Sequence, residues 1–230
     1  MTFDRCLAEK LAYAKKTFTA WQARMSPPET APQYRRLGYR DKVCLAAAHD
    51  NGAWHIGLKR RDGVLAIHQC PIHGVRVRQA LSLFADILPV ADGFPLAFYA
   101  QSGAQVTLVV KTARLPDMTW LDSGVKQRLS EAGIEGLWVC LHPSAGHRVF
   151  ARSGWRRVWG SPRSADARGL VYGPTTFGQP IFELAEKALI TAETFLGPAA
   201  GDRVIDLYCG IGAGLVRWRK TTAHVVGVEL

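Results

Sequence analysis

No run of apolar residues in this chain approaches the roughly 20 needed to cross a bilayer as a helix, although apolar residues make up 48% of it. Its opening, MTFDRCLAEKLAYAKK, mixes acids and bases and holds no unbroken apolar stretch of the kind that directs secretion. Cysteine is scarce, and the five thiols are odd in number and scattered. That argues against a disulfide framework and for a reducing compartment. Acid is short as well: 19 Asp and Glu face 29 Lys and Arg, a formal charge of +10. The expectation is a cytoplasmic protein with no membrane partner, acting as a monomer, with a core of ordinary size and a polyanionic partner.

The bases cluster. Arg35, Arg36, Arg40 and Lys42 form one group, and Lys59, Arg60 and Arg61 a second. Arg152, Arg156, Arg157 and Arg163 form a third, and Arg217, Arg219 and Lys220 a fourth. Tyr34, Tyr39, Trp54, Trp155 and Trp159 are interleaved with them and suit stacking on unpaired bases. The plainer alternative is a solvated basic surface with the aromatics in the core.

Residues 5–25 read as one helix, with Leu7, Leu11, Ala14, Phe18 and Trp21 at helical spacing. The Pro-rich stretch 26–32 breaks it, so residues 1–31 form a helix and linker. Segments 42–48, 54–59 and 64–68 read as antiparallel strands, joined at Asn51-Gly52 and Asp62-Gly63. A helix over 75–88 and a hairpin of 96–100 with 105–111 follow. Asp122 is placed as the N-cap of a helix that Gly133 ends, before strands at 137–141 and within 149–159. Cys44 and Cys140 fall in strands and read as small core residues. Together, residues 32–172 make an antiparallel-sheet α+β domain.

A third unit, residues 173–230, opens with an amphipathic helix over 182–196, stopped by Gly197-Pro198. The run 203–208 then enters Cys209-Gly210-Ile211-Gly212-Ala213-Gly214 as a buried parallel strand enters a glycine loop. A short helix and a second apolar run, 224–228, close on Glu229. Strand, glycine loop, helix, strand and acid form the first βαβ unit of a Rossmann-like nucleoside site, the carboxylate placed for a ribose diol. The third glycine of a dinucleotide fingerprint is missing, which favours S-adenosylmethionine over NAD.

The string Asp206-Leu207-Tyr208-Cys209-Gly210-Ile211-Gly212, followed by Val225-Val226-Gly227-Val228-Glu229, resembles the RNA uracil-5 methyltransferases. These are class I, S-adenosylmethionine-dependent enzymes that form 5-methyluridine. Pro174-Thr175-Thr176-Phe177-Gly178-Gln179 is similar to that family's Pro-x-x-Phe-x-Gln segment. Tyr34-Arg35-Arg36, Tyr39-Arg40 and Gln69-Cys70-Pro71-Ile72 are similar to its central domain, and the chain resembles the 23S ribosomal RNA enzymes of the family. The resemblance implies S-adenosyl-L-methionine as cofactor and ribosomal or transfer RNA as partner. It puts Glu229 on the ribose, and Tyr208, Gly210, Gly212 and Ala213 along the methionine and adenosine. Gln179 would hold the methionine end, and Asp206 would order the loop. Two positions depart from the pattern: Ala213 stands where the family often has Asn, and Pro180-Ile181 replaces the usual Val-Asn.

Uracil C5 is a poor nucleophile, and the family's solution begins with a cysteine thiolate adding to C6. C5 then takes the methyl group, and a general base removes its proton. In the family these groups follow the second strand, whereas this sequence stops at Leu230. The resemblance thus predicts a fragment, truncated before the catalytic motifs, with no catalytic residue of its own and inactive alone. Cys209 belongs to the cofactor loop and not to the base. A non-catalytic RNA-binding relative, or a half-enzyme completed by a partner, is the alternative.

Many members also bind a four-iron four-sulfur cluster. By resemblance Cys70 matches its fourth ligand and Cys6 the last of the first three. Two thiolates do not hold a cluster that takes four, so none is expected in this chain. His68 and His73 flank Cys70 without a second Cys/His pair at zinc spacing.

Overall fold

The first helix ends at Thr17. The computed structural model describes residues 3–229, and in it α1 (Phe3–Thr17) gives way to a 3-10 turn, Thr19–Arg24. A single helix to residue 25 was expected. Thr17 Oγ1 donates to Tyr13 O and Thr19 Oγ1 to Lys16 O, at 2.9 and 3.0 Å. Such hydroxyls, around a bulky Phe18, compete for helical carbonyls and weaken the turn. None of α1 is buried.

Turn chemistry then sets the central sheet. Asn51 (φ 50) and Gly52 (φ 77) supply the left-handed pair that a tight hairpin needs. They join β1 (Lys42–Asp50) to β2 (Ala53–Arg60), and β3 (Gly63–Ala66) follows through the next hairpin. After α2 (Val75–Ile87) come β4 (Leu96–Ser102), β5 (Gln105–Val110), α3 (Ser123–Glu131), β6 (Gly136–Leu141) and β7 (Trp155–Gly160). The seven strands lie in the order β3-β2-β1-β4-β5-β6-β7. Asp122 caps α3 as expected, its carboxylate accepting from Val125 N at 2.8 Å.

The sheet is mixed, not antiparallel throughout. β5 and β6 run parallel, in register from Gln105↔Gly136 to Val110↔Leu141. A parallel neighbour needs a crossover, and the long connection through α3 carries the chain back to the starting end. On β5, Val106, Leu108 and Val110 face the main core with Phe84 of α2 and Leu129 of α3. Val109 faces a smaller cluster with Cys140 on the other side, so every residue of β5 is buried. Cys140 is a core thiol, but Cys44 is exposed, because β1 lies farther from that cluster and turns it outward. Segment 149–159 yields only β7; residues 149–151 instead pack on the smaller cluster.

β8 (Ser164–Ala165) and β9 (Val171–Tyr172) pair in a small ribbon. The third unit then follows as α4 (Phe182–Leu196), β10 (Arg203–Leu207), α5 (Ala213–Trp218) and β11 (His224–Val228). β10 and β11 pair in parallel, from Arg203↔His224 to Leu207↔Val228. The parallel pairing agrees with the sequence, but the expected burial does not. Ile205, Leu207, Val226 and Val228 are all exposed, because no further layer covers this two-stranded sheet among the described residues. Arg217 ties α5 to α4 through Glu186 and Glu193, each at 2.5 Å.

Candidate functional site

The loop between β10 and α5 is shaped by three left-handed residues: Tyr208 (φ 59), Gly210 (φ 57) and Gly212 (φ 84). For a tyrosine that conformation is strained, and such strain gathers at functional sites. Tyr208 N donates to Val228 O at 2.8 Å, while 79% of the residue remains exposed. A Cβ on Gly210 would meet nothing within 4 Å, so glycine there leaves open room beside a backbone that only it adopts cheaply.

Glu229 lies beside this loop, its Oε2 accepting from Gly210 N at 2.7 Å. Its other oxygen is left without a partner among the described residues. The carboxylate therefore holds the loop, the task expected of Asp206. Asp206 instead lies against Gly214 at the start of α5 and makes no hydrogen bond to the loop among the described residues.

Opposite the loop is a cleft of about 660 Å³, a volume that suits a small ligand. Lys42 and Ser102 of the central sheet and Gly103 of the β4–β5 turn line one side, with Phe177 and Gln179 of the connecting segment. Tyr208, Cys209, Gly210 and Ala213 line the other. Of the expected cofactor residues, the fold thus brings Gln179, Tyr208, Gly210 and Ala213 together. Glu229 reaches them through Gly210, while Gly212 and Asp206 lie outside the lining.

Three charged groups that the sequence did not single out as site residues border the cleft. Arg35 Nε donates to Glu183 Oε1 at 2.6 Å, which holds that carboxyl below its usual range. The second carboxylate oxygen of Glu183 is buried without a partner. Lys42 donates to two carbonyls of the connecting segment, and burial lowers its pKa. Lys42 and Arg35 belong to a basic cluster in sequence, but no local pattern marks these contacts, because the partners are distant in sequence.

The segments 34–40 and 69–72, read as motifs of one domain, lie side by side. Gly38 N donates to Pro71 O at 2.8 Å and Arg40 N to Ile72 O at 2.9 Å. Cys6 lies on α1 and Cys70 in the turn before α2, both free and partly buried. Among the described residues no three His, Cys, Asp or Glu side chains gather as a metal site, so they do not fit a four-thiolate cluster. His68 and His73 each keep a buried ring nitrogen without a partner, and burial depresses both pKa values. Trp54, grouped with the stacking aromatics, is a core residue whose indole donates to Pro89 O at 2.8 Å. Tyr34 is 74% exposed.

No family model matches the chain. It is 26% identical over 214 residues to an uncharacterised RNA methyltransferase of Thermosynechococcus vestitus, covering 84% of this chain and 46% of that protein. It is 28% identical over 200 residues to the 23S rRNA (uracil(1939)-C(5))-methyltransferase of Aromatoleum aromaticum, covering 83% and 45%. The enzyme of that name from Alcanivorax borkumensis is 27% identical over 230 residues, covering 91% and 47%. The chain thus spans about half the length of these relatives. Its fold matches the crystal structure of Pyrococcus abyssi tRNA (uracil-54, C5)-methyltransferase in complex with S-adenosyl-L-homocysteine. The TM-score is 0.68 at 18% identity, over 96% of this chain and 54% of that one. By sequence, the chain is a relative of the RNA uracil-5 methyltransferases.

Proposed function

We propose that this chain is the RNA-holding and cofactor-binding portion of an S-adenosylmethionine-dependent RNA uracil C5 methyltransferase acting on ribosomal or transfer RNA. The observation that carries the reading is the convergence of Gln179, Tyr208, Gly210 and Ala213 on one cleft, with Glu229 behind the loop. The open space at Gly210 accepts a ligand against the backbone, and Tyr208 offers it an exposed ring. The free oxygen of Glu229 suits a ribose hydroxyl, and the Gln179 amide suits a carboxylate or an amine. Bound there, S-adenosylmethionine would supply an electrophilic methyl group. The chain's own residues bind and orient it, and the basic central domain holds the RNA.

Titration calorimetry with S-adenosyl-L-homocysteine tests this. The expected result is saturable one-to-one binding, weakened at least about tenfold by Gly210→Val, whose side chain would fill the open space. Salt-dependent RNA binding with no binding of S-adenosyl-L-homocysteine would instead identify a non-catalytic RNA-binding protein.

A further inference from the structure

The connecting segment that carries Gln179 belongs to no helix or strand from Gly173 to Ile181. Its own backbone supplies one turn: Thr176 N reaches Gly173 O at 3.3 Å, and Gly173 N reaches Thr176 Oγ1 at 2.9 Å. Among the described residues, every other hydrogen bond to residues 174–179 comes from two side chains of the central sheet. Lys42 Nζ donates to Thr175 O at 3.2 Å and to Thr176 O at 2.7 Å. Ser102 Oγ donates to Thr176 O at 3.0 Å.

Lys42 and Ser102 are direct partners in the β1–β4 register, so one rung of the sheet grips two successive carbonyls. The Thr176 carbonyl accepts from both and so fills its two lone pairs. The ammonium also lies 5.3 Å from the centre of the Phe177 ring and has no carboxylate partner among the described residues. An ammonium with a single flexible stem has three donors, and two of them are spent on the segment.

We propose that Lys42 is the positioning residue of the cofactor site: from the central sheet it fixes the 174–179 segment, and through it Gln179, against the glycine loop. This rests on the cofactor reading above. It makes the central sheet part of the cofactor site's framework, so that order in the sheet's Lys42–Ser102 rung is transmitted to the ligand.

The test compares Lys42→Met, Lys42→Arg and Ser102→Ala with the unchanged protein. In the absence of ligand, 15N relaxation reads the backbone order of Thr175, Thr176 and Phe177. The expected result is order parameters falling from about 0.85 to 0.6 or below in Lys42→Met, with β4–β6 unchanged. S-adenosyl-L-homocysteine affinity should drop about tenfold in Lys42→Met, the scale of a lost charge-assisted hydrogen bond, and recover largely in Lys42→Arg. Unchanged order at 175–177 in Lys42→Met would overturn the proposal. So would lost order with unchanged affinity. If Lys42→Met does not fold, Ser102→Ala removes one bond from the same carbonyl and must show the same effects at smaller size. If the unchanged protein does not bind S-adenosyl-L-homocysteine, the cofactor reading fails, and the order parameters still decide whether Lys42 fixes the segment.

Discussion

His73 is 2% exposed, and its Nδ1 has no partner. Burial, with Arg40 and Arg78 nearby, keeps its pKa below the ordinary value, so the folded protein holds the ring neutral. His68 behaves likewise, through burial and then His55. The unfolded chain takes up protons near the ordinary histidine pKa of about 6.5, while the folded chain resists them. More protons on the unfolded state means stability falls as pH drops below about 6.5, until the folded pKa is reached. Melting temperature should therefore fall between pH 7.5 and 5.5, and the His68→Asn/His73→Asn double variant should flatten the curve. An equal melting temperature at both pH values in the unchanged protein would contradict the burial of these rings. In sequence the two histidines suggest ligands only because they flank Cys70. In the fold they are neutral rings at either end of segment 69–72, which is hydrogen-bonded to segment 38–40.

Among the elements, the contrast lies between the central sheet and the β10–β11 unit. β4, β5 and β6 are buried nearly end to end, whereas neither α4 nor β10 nor β11 has a buried residue. Among the described residues from 173 onward the buried positions are Gly212, Gly214, Trp218 and Thr222. Little apolar area is removed from water there, and the Arg217 ion pairs contribute modestly at partly exposed sites. Local opening should follow this difference. Chymotrypsin should cut after the exposed Leu207 or Tyr208 well before it cuts after Tyr99, Leu108 or Leu137 of β4–β6, as read by mass spectrometry of the digest. Slower cutting should follow saturation with S-adenosyl-L-homocysteine, since a ligand bound to the folded loop stabilises it by mass action. A protease-resistant 177–229 without ligand would show that the exposed strands are held by more than the contacts seen here.

Across the whole molecule, the charge of +10 divides into paired and free bases. Arg35 is spent on Glu183 and Arg217 on Glu186 and Glu193, while Arg36 stacks on Phe3 at 3.7 Å. Arg152, Arg156, Arg157 and Arg163 have no carboxylate partner among the described residues. Arg156 and Arg157 stand exposed on β7, at the edge of the central sheet, where charge also discourages pairing with another chain. If this edge holds RNA, affinity should fall steeply with salt, with a log–log slope of about −0.7 per phosphate contact on a single strand. The Arg156→Ala/Arg157→Ala variant should reduce that slope by about 1 or 2. Filter binding across a salt series measures it, and a slope unchanged by the double variant would move the RNA to another face.

Local chemistry made much of this fold legible in the sequence. The Asn51-Gly52 hairpin, the Asp122 cap, the 182–196 helix with Gly197 after it, and the 224–228 strand all depend on residues within a few positions of one another. The same holds for the glycine loop, whose left-handed positions need Gly210 and Gly212. Side-chain burial was less legible, because it depends on what another layer covers: Cys44 and Cys140 both lie in strands, and only one reaches a core. Trp54 reads equally well as a stacking surface or as core until Pro89 is beside it. The parallel β5–β6 pairing, the turn of Glu229 onto Gly210, and the grip of Lys42 on carbonyls 133 and 134 residues away were decided by the tertiary structure. Each joins groups whose separation along the chain leaves no periodic or turn signal, and only the folded sheet brings them within hydrogen-bond reach.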